Sequence, residues 1–301
     1  MKLKLSKQEV LALKLLCAGS LSAGGLASAL GAKKPFATRL LRSLEEKSLV
    51  SVERKGTEKR VSLAEFSAAG SAFKKLAESR PKARIEEWLS GSALDALAIL
   101  ASRESVSMEF LKRESDCSLP TLYKPLRALS SAGVVLADGG RARVTDGLVR
   151  AFADSFADAL QNNALHGSGG YTVLVRAGKN VVFRTDSTAF ESKQGFQLTG
   201  MSKLAPALKV IPTGYRDYYF RLGKRVEKLA SEDFFVHALL LSTLPQHAPD
   251  KAILALYFKQ EGRKFDKAEL KTLAKTFAVE GELEALKTAV GYYEKIKDYE
   301  R

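Results

Sequence analysis

The sequence predicts an α+β fold in which a helix-rich domain ending in a strand hairpin occurs twice, followed by a smaller α+β domain with a C-terminal helical bundle. Three observations predict it. A basic amphipathic helix runs into two short β-prone segments, the same arrangement returns at a fixed offset, and a Gly- and Asn-rich break separates both copies from a stretch patterned as strands and then helices.

In chain order, Ser6-Lys-Gln-Glu9 has the form of a capping box and opens a helix with Val10, Leu11, Leu13, Leu15 and Leu16 as apolar positions. Ser20 to Leu30 spaces Leu21, Leu26 and Leu30 for a short second helix, which Gly31 is placed to end. From Lys33 to Leu49, helical period puts Phe36, Ala37, Leu40, Leu41 and Leu44 on a buried face and Thr38, Arg39 and Arg42 on a ridge opposite. Pro35 suits a first turn, and Lys33 and Lys34 stand where the chain enters it. Val50-Ser-Val and Val61-Ser-Leu then read as two strands around a turn rich in Arg54, Lys55, Lys59 and Arg60.

A single helix of this kind reads most simply as a core helix with a solvated charged face. Its neighbours change that. Helix, short helix, turn, basic helix and hairpin is the order of a winged helix-turn-helix, whose last helix enters the major groove. On that reading Lys33, Lys34, Thr38, Arg39 and Arg42 contact DNA from the helix, and Arg54, Lys55, Lys59 and Arg60 from the wing.

Sliding the sequence by 85 positions (120 − 35) lays LPTLYKPLRALSSAGVV on the first basic helix. Pro35 meets Pro120, Arg39 meets Lys124, Leu41 meets Leu126, Arg42 meets Arg127 and Leu44 meets Leu129. Upstream, Ser20-Leu21-Ser22 meets Ser105-Val106-Ser107 in the same register, which chance similarity between two amphipathic helices does not supply. The first winged domain is therefore assigned to residues 1–80 and the second to 81–161, with Pro81 at the junction. The second reading face is Tyr123, Lys124 and Arg127, with Arg141 and Arg143 on a shorter wing around an Asp-Gly turn signal. Pro125 makes this helix shorter or less regular than its partner, kinking it if it starts near Ser118.

Charge divides unevenly along the chain. Residues 1–80 hold 16 basic and 7 acidic residues (16 − 7 = +9), 81–160 hold 10 and 11 (10 − 11 = −1), and 161–301 hold 22 and 16 (22 − 16 = +6). Localised positive charge on a helix and wing suits a polyanion, with counterion release supplying affinity. The second domain, near neutral, is expected to be an auxiliary DNA contact or a protein-contact module. No apolar run approaches a membrane span, MKLKLSKQEV turns at once into a capped helix rather than a secretory signal, and two cysteines, Cys17 and Cys117, make neither a disulfide framework nor a zinc site. A cytoplasmic protein without membrane contact is expected.

Thr145 to Gln161 reads as a helix with Leu148, Phe152, Phe156 and Leu160 on one stripe, a surface for pairing two chains into a homodimer or for packing on its own domain. Residues 162–170 (NNALHGSGG) read as a linker to an effector or partner-binding domain at 171–301. There, strands are expected at 171–176, 180–184 and 215–222, then helices at 231–242, 249–261, 266–277 and from about 281. His166, His237 and His247 lack metal-ligand spacing, and Tyr215, Tyr218, Tyr219 and Phe220 suit a strand core better than base stacking. With no nucleophile elbow or phosphate loop either, no enzyme, metal or cofactor is expected.

Arg60 to Leu76, RVSLAEFSAAGSAFKKL, resembles the strand and helix that follow the wing in MarR-like regulators. QLTGMSKLAPAL, DYYFRL, LASEDFFVHALLLS, DKAILALYFKQE and LAKTFAVEGELEALKTAVGYYE resemble the carboxy-terminal part of archaeal winged-helix regulators and, more distantly, AbiEi-type antitoxins. The resemblance implies a sequence-specific regulator of transcription that binds double-stranded DNA. Its alternative is a winged-helix adaptor or antitoxin that binds a nucleotidyltransferase-type toxin through the C-terminal domain. Two winged domains depart from the antitoxin pattern.

Overall fold

The computed structural model describes residues 3–299 apart from 56–57, 116–117, 168, 210–213, 225 and 246–250. It is a mixed α+β chain of two compact units, residues 1–166 with 222–224 and residues 167–221 with 225–301.

The first unit opens with α1 (Lys7–Cys17), β1 (Leu21–Ser22), α2 (Ala23–Ala29), α3 (Lys34–Glu46), β2 (Val50–Lys55), β3 (Glu58–Leu63) and α4 (Ala68–Ser79). After a short α5 (Ile85–Trp88), the order repeats as α6 (Gly91–Ala101), β4 (Val106–Ser107), α7 (Met108–Glu114), α8 (Leu119–Ser131), β5 (Val135–Asp138), β6 (Arg141–Val144) and α9 (Gly147–Leu165). Both ends of β1, α2 and α3 recur 85 residues later in β4, α7 and α8 (for example 119 − 34 = 85). Across the hairpins the offset falls to 81, because Val50 pairs with Leu63 and Val135 with Val144 (144 − 63 = 81). The second hairpin is thus four residues shorter, closed by Gly139 and Gly140, both at positive φ as a tight two-residue turn requires. Each repeat carries a three-stranded antiparallel sheet with the two-residue strand at one edge, ordered β1-β3-β2 and β4-β6-β5.

Three expectations need correction. Ser20 to Leu30 is not one helix: Leu21 and Ser22 pair with Val61 and Arg60, and the Ser22 hydroxyl then caps α2 at Gly25 N. A two-residue strand carries no periodicity for sequence to reveal. Of the two expected alternatives for the helix bearing Pro125, only the shorter one is excluded: α8 has Ser118 as N-cap, matches α3 at 13 residues and carries Pro125 in its interior. Pro125 leaves the Thr121 carbonyl without its helical donor, and the Ser92 hydroxyl approaches that oxygen at 3.5 Å. The linker begins later than residue 162, because α9 continues through Leu165, which is fully buried, and Asn163 binds Glu46 O and the Ser48 hydroxyl.

The repeats pack on one another through the helices that follow their hairpins. Phe73 of α4 and Phe152 of α9, each six residues beyond its N-cap (Ser67 and Asp146), meet edge to face with centroids 5.4 Å apart. Phe152, Phe156 and Leu160 of the predicted stripe are buried within this chain, with Val149 replacing the half-buried Leu148. Arg80 pairs with Asp146, and Lys14 reaches Ala83 O at 3.3 Å and Glu86 at 3.6 Å. Gly70 is required where it stands, because a Cβ would fall 2.1 Å from Ala64 O.

The second unit holds β7 (Tyr171–Ala177), β8 (Asn180–Thr185), β9 (Gln197–Leu198), α10 (Gly200–Ala207) and β10 (Arg216–Arg221), forming an antiparallel sheet ordered β7-β8-β10-β9. Helices α11 (Ser231–Leu241), α12 (Lys251–Glu261), α13 (Lys267–Phe277) and α14 (Glu280–Tyr299) follow. β9 and α10 were not foreseen, being short and flanked by turns. Strand alternation gives the sheet two faces: Phe183, Tyr218 and Phe220 cluster with Phe190 and Phe196, whereas Val182 and Tyr219 join the helical core around Phe235 and Leu239. Arg184 and Asp217, opposite one another in register, form a buried two-point ion pair of 2.7 and 3.2 Å.

Candidate nucleic-acid interface

Helix α3 owes its face to its sequence. Ala37, Leu40, Leu41 and Leu44 are buried, so 3.6-residue periodicity forces Lys34, Thr38, Arg39 and Arg42 outward, all exposed, with Lys33 as N-cap. Thr38 donates its hydroxyl to Lys34 O at 3.0 Å, and Arg42 rests 3.2 Å from Glu46, an exposed pair that another anion displaces at little cost. Phe36 departs from expectation: it is 37% exposed rather than buried, since at helical period it lies at the edge of the arc centred on Ala37, Leu40, Leu41 and Leu44.

The hairpin extends this basic surface. Arg54, Lys59 and Arg60 are exposed, while the side chain of Lys55 lies outside the described residues. Arg54 stands directly opposite Lys59 in register, an arrangement of like charges that disfavours the free hairpin and that a polyanion relieves. Two pieces of scaffold therefore present cations from one repeat.

A buried polar hub fixes α3. Glu9 of α1 accepts from Lys47 Nζ at 2.5 Å and Ser43 Oγ at 2.8 Å on one oxygen and from Ser6 N at 2.6 Å on the other. Burial alone would raise the Glu9 carboxyl; the bonds from Lys47, Ser6 and Ser43 outweigh it and hold its pKa below the ordinary value. Sequence reasoning saw Glu9 only as a capping residue, because its two long-range partners are 34 and 38 positions away. Helix α6 matches α1 at an offset of 84 (91 − 7) and α8 matches α3 at 85 (119 − 34), so Glu9, Ser43 and Lys47 correspond to Ala93, Ala128 and Ala132, of which Ala93 is buried.

The second repeat presents a different surface. Tyr123, Lys124 and Arg127 are exposed on α8, but Arg141 turns back to its own repeat, donating to Ser105 Oγ at 3.0 Å and Ser105 O at 3.1 Å. Arg143 is exposed beside a cavity of about 460 Å³ that Glu104, Val144, Thr145 and Arg150 also line. The second repeat exposes Tyr123 at 50% and Leu136 at 46%, where the first exposes Phe36 at 37% and Phe66 at 85%.

The other sequence candidates fall inside the second unit, at the end of α9 or outside the described residues. His237 is buried, hydrogen-bonded through Nδ1 to Thr199 at 2.6 Å and stacked on Tyr219, and burial lowers its pKa to about 3, so it stays a neutral core ring. Tyr218, Tyr219 and Phe220 are buried, leaving Tyr215 alone of that group exposed. His166 caps α9, and His247 and Cys117 lie outside the described residues. Among the described residues, no group of His, Cys, Asp and Glu is arranged to hold a metal ion, and no helix is long and apolar enough to cross a membrane.

Compared with family models, curated proteins and solved structures, the chain matches none.

Proposed function

We propose that the chain is a sequence-specific double-stranded DNA-binding regulator of transcription, built on tandem winged helix-turn-helix repeats of which the first is the reader. The observation that carries this reading is the convergence, on one repeat, of Lys33, Lys34, Arg39 and Arg42 along an outward helix face with Arg54, Lys59 and Arg60 on the adjoining hairpin. α2, the turn at residues 30–33 and α3 supply the helix-turn-helix, β2 and β3 the wing. Thr38, Arg39 and Arg42 take the base-reading role, and the wing cations the sequence-independent contacts to phosphate.

Selection from a random duplex library with the full chain tests it. Enrichment of a defined site, and loss of that site's affinity in the Arg39→Ala/Arg42→Ala variant, is the expected result; unchanged affinity in that variant sinks it. A second reading applies to the second repeat, where exposed Tyr123 and Leu136 favour a protein-contact face over an equal DNA reader. The regulator then acts as an adaptor, holding DNA with one repeat and a protein partner with the other.

A further inference from the structure

Phe36 is the apolar residue of α3 that the core leaves uncovered: Ala37, Leu40, Leu41 and Leu44 are at most 6% exposed, whereas Phe36 is 37% exposed. It occupies the third helical position, after Lys34 and Pro35, and its backbone N–H closes the first turn on Lys33 O at 2.9 Å. Helical side chains lean toward the N-terminus, so the ring covers the end of α3 that bears Lys33 and Lys34. That end is the one a helix in the major groove brings to base edges. Lys33 and Arg39 stand three positions either side of Phe36, so on the DNA-binding reading this exposed ring, which gains nothing from water, lies where cations draw a duplex close.

The major groove offers one apolar group that such a ring can cover, the C5-methyl of a pyrimidine. We propose that Phe36 is a specificity-determining residue that packs against a pyrimidine C5-methyl group, of thymine or of 5-methylcytosine, in the recognised site. The assignment rests on the DNA-binding reading above and deepens it, naming an apolar determinant beside the hydrogen-bonding Arg39 and Arg42. The second repeat lacks it: the position 85 residues on is Thr121, which is exposed and bonded to Ser118 at 2.8 Å.

The test uses the full chain and the duplex it enriches from a random library. Each thymine is replaced in turn by uracil, which removes only the methyl, and each cytosine by 5-methylcytosine, which adds one. If thymine is the source, one thymine-to-uracil change lowers wild-type affinity roughly three- to fivefold, the effect of one buried methyl-sized group. If 5-methylcytosine is the source, one added methyl raises affinity by a similar factor. In either arm Phe36→Ala is indifferent to the methyl and Phe36→Leu keeps most of the response. Affinity for random duplex shows that each variant is folded; should Phe36→Ala lose that as well, Phe36→Leu against Phe36→Ser carries the comparison. A wild type indifferent to every methyl, or a Phe36→Ala variant with the full response, overturns the assignment while leaving the DNA reading in place. A chain that enriches no duplex overturns the reading and the assignment together.

Discussion

The two repeats share a scaffold and differ in what they display. Helices α3 and α8 have the same length, the same buried positions at Leu41/Leu126 and Leu44/Leu129, and the same place beside a three-stranded sheet. At the helix exit both take a left-handed residue, Ser48 at φ 57° and Gly133 at φ 69°. On the outside, Thr38 becomes Tyr123, the hairpin loses four residues, and its Arg141 is drawn back onto Ser105. On the inside, Glu9, Ser43 and Lys47 of the ionic hub become Ala93, Ala128 and Ala132. A duplicated core tolerates such exchange because apolar volume and period alone hold the helix in place, leaving surface chemistry free to diverge.

The largest expected effect breaks that symmetry directly. Reversing both charges at Arg39 and Arg42 (to Glu) abolishes duplex binding, while the same reversal at Lys124 and Arg127 costs far less and preserves site preference. Salt titration supplies the measure: each lost phosphate contact lowers the slope of log affinity against log salt by roughly 0.9, so the first pair flattens it more. Equal losses in affinity, slope and preference make the repeats equal readers, and a dominant second pair moves the reading head to Tyr123, Lys124 and Arg127.

Much of this scaffold is legible in sequence because period and offset encode it. Leu40, Leu41 and Leu44 announce the buried face of α3, and the paired Pro35 and Pro120 fix the repeat to the residue. Illegible were features that depend on contacts between distant segments. β1 exists only because β3 lies beside it, the Glu9 hub joins residues 34 and 38 positions apart, and Asn163 stays helical because Glu46 O and Ser48 hold it. Phe36 differs for another reason: helical period sets it at the edge of the apolar arc, and how wide an arc the core covers depends on what packs against it, since the adjacent Ala37 is fully buried.

The hub gives the next effect in size. Lys47→Met strands the Glu9 carboxylate in a buried setting, at a cost of about 3–5 kcal/mol. The double change Glu9→Leu/Lys47→Ala should recover most of that loss, because removing both partners leaves no unpaired charge. The single tryptophan, Trp88, lies in the first unit, so its fluorescence during urea denaturation of the full chain reports on this unit. A double variant as unstable as Lys47→Met shows that packing around Lys47, rather than charge, distinguishes the repeats here.

Pro125 sharpens the comparison from the other side, since its counterpart 85 residues earlier is Leu40, buried at 6%. Pro125→Ala restores an N–H for the Thr121 carbonyl and should raise stability by about 1–3 kcal/mol, again read from Trp88. No gain shows that the Ser92 hydroxyl already satisfies that carbonyl, and Ser92→Ala should then cost more in the wild type than in Pro125→Ala.

The smallest effect is the pH dependence that Glu9 gives the first repeat. The folded state holds the Glu9 carboxyl below its ordinary value, so the unfolded chain takes up a proton there at higher pH than the folded one. The resulting stabilisation is complete at neutral pH and is lost as pH falls through the ordinary carboxylate range toward the lower folded value. Other carboxylates contribute their own acid sensitivity, so the informative quantity is a difference. Between about pH 6 and pH 3.5, the wild type should lose more stability than Glu9→Leu/Lys47→Ala, with Trp88 as probe. Because burial offsets part of what Lys47, Ser6 and Ser43 contribute, this difference should stay below the loss from Lys47→Met. Parallel acid profiles for the two chains mean that Glu9 titrates alike folded and unfolded, and the hub's contribution to stability then does not depend on the charge of Glu9.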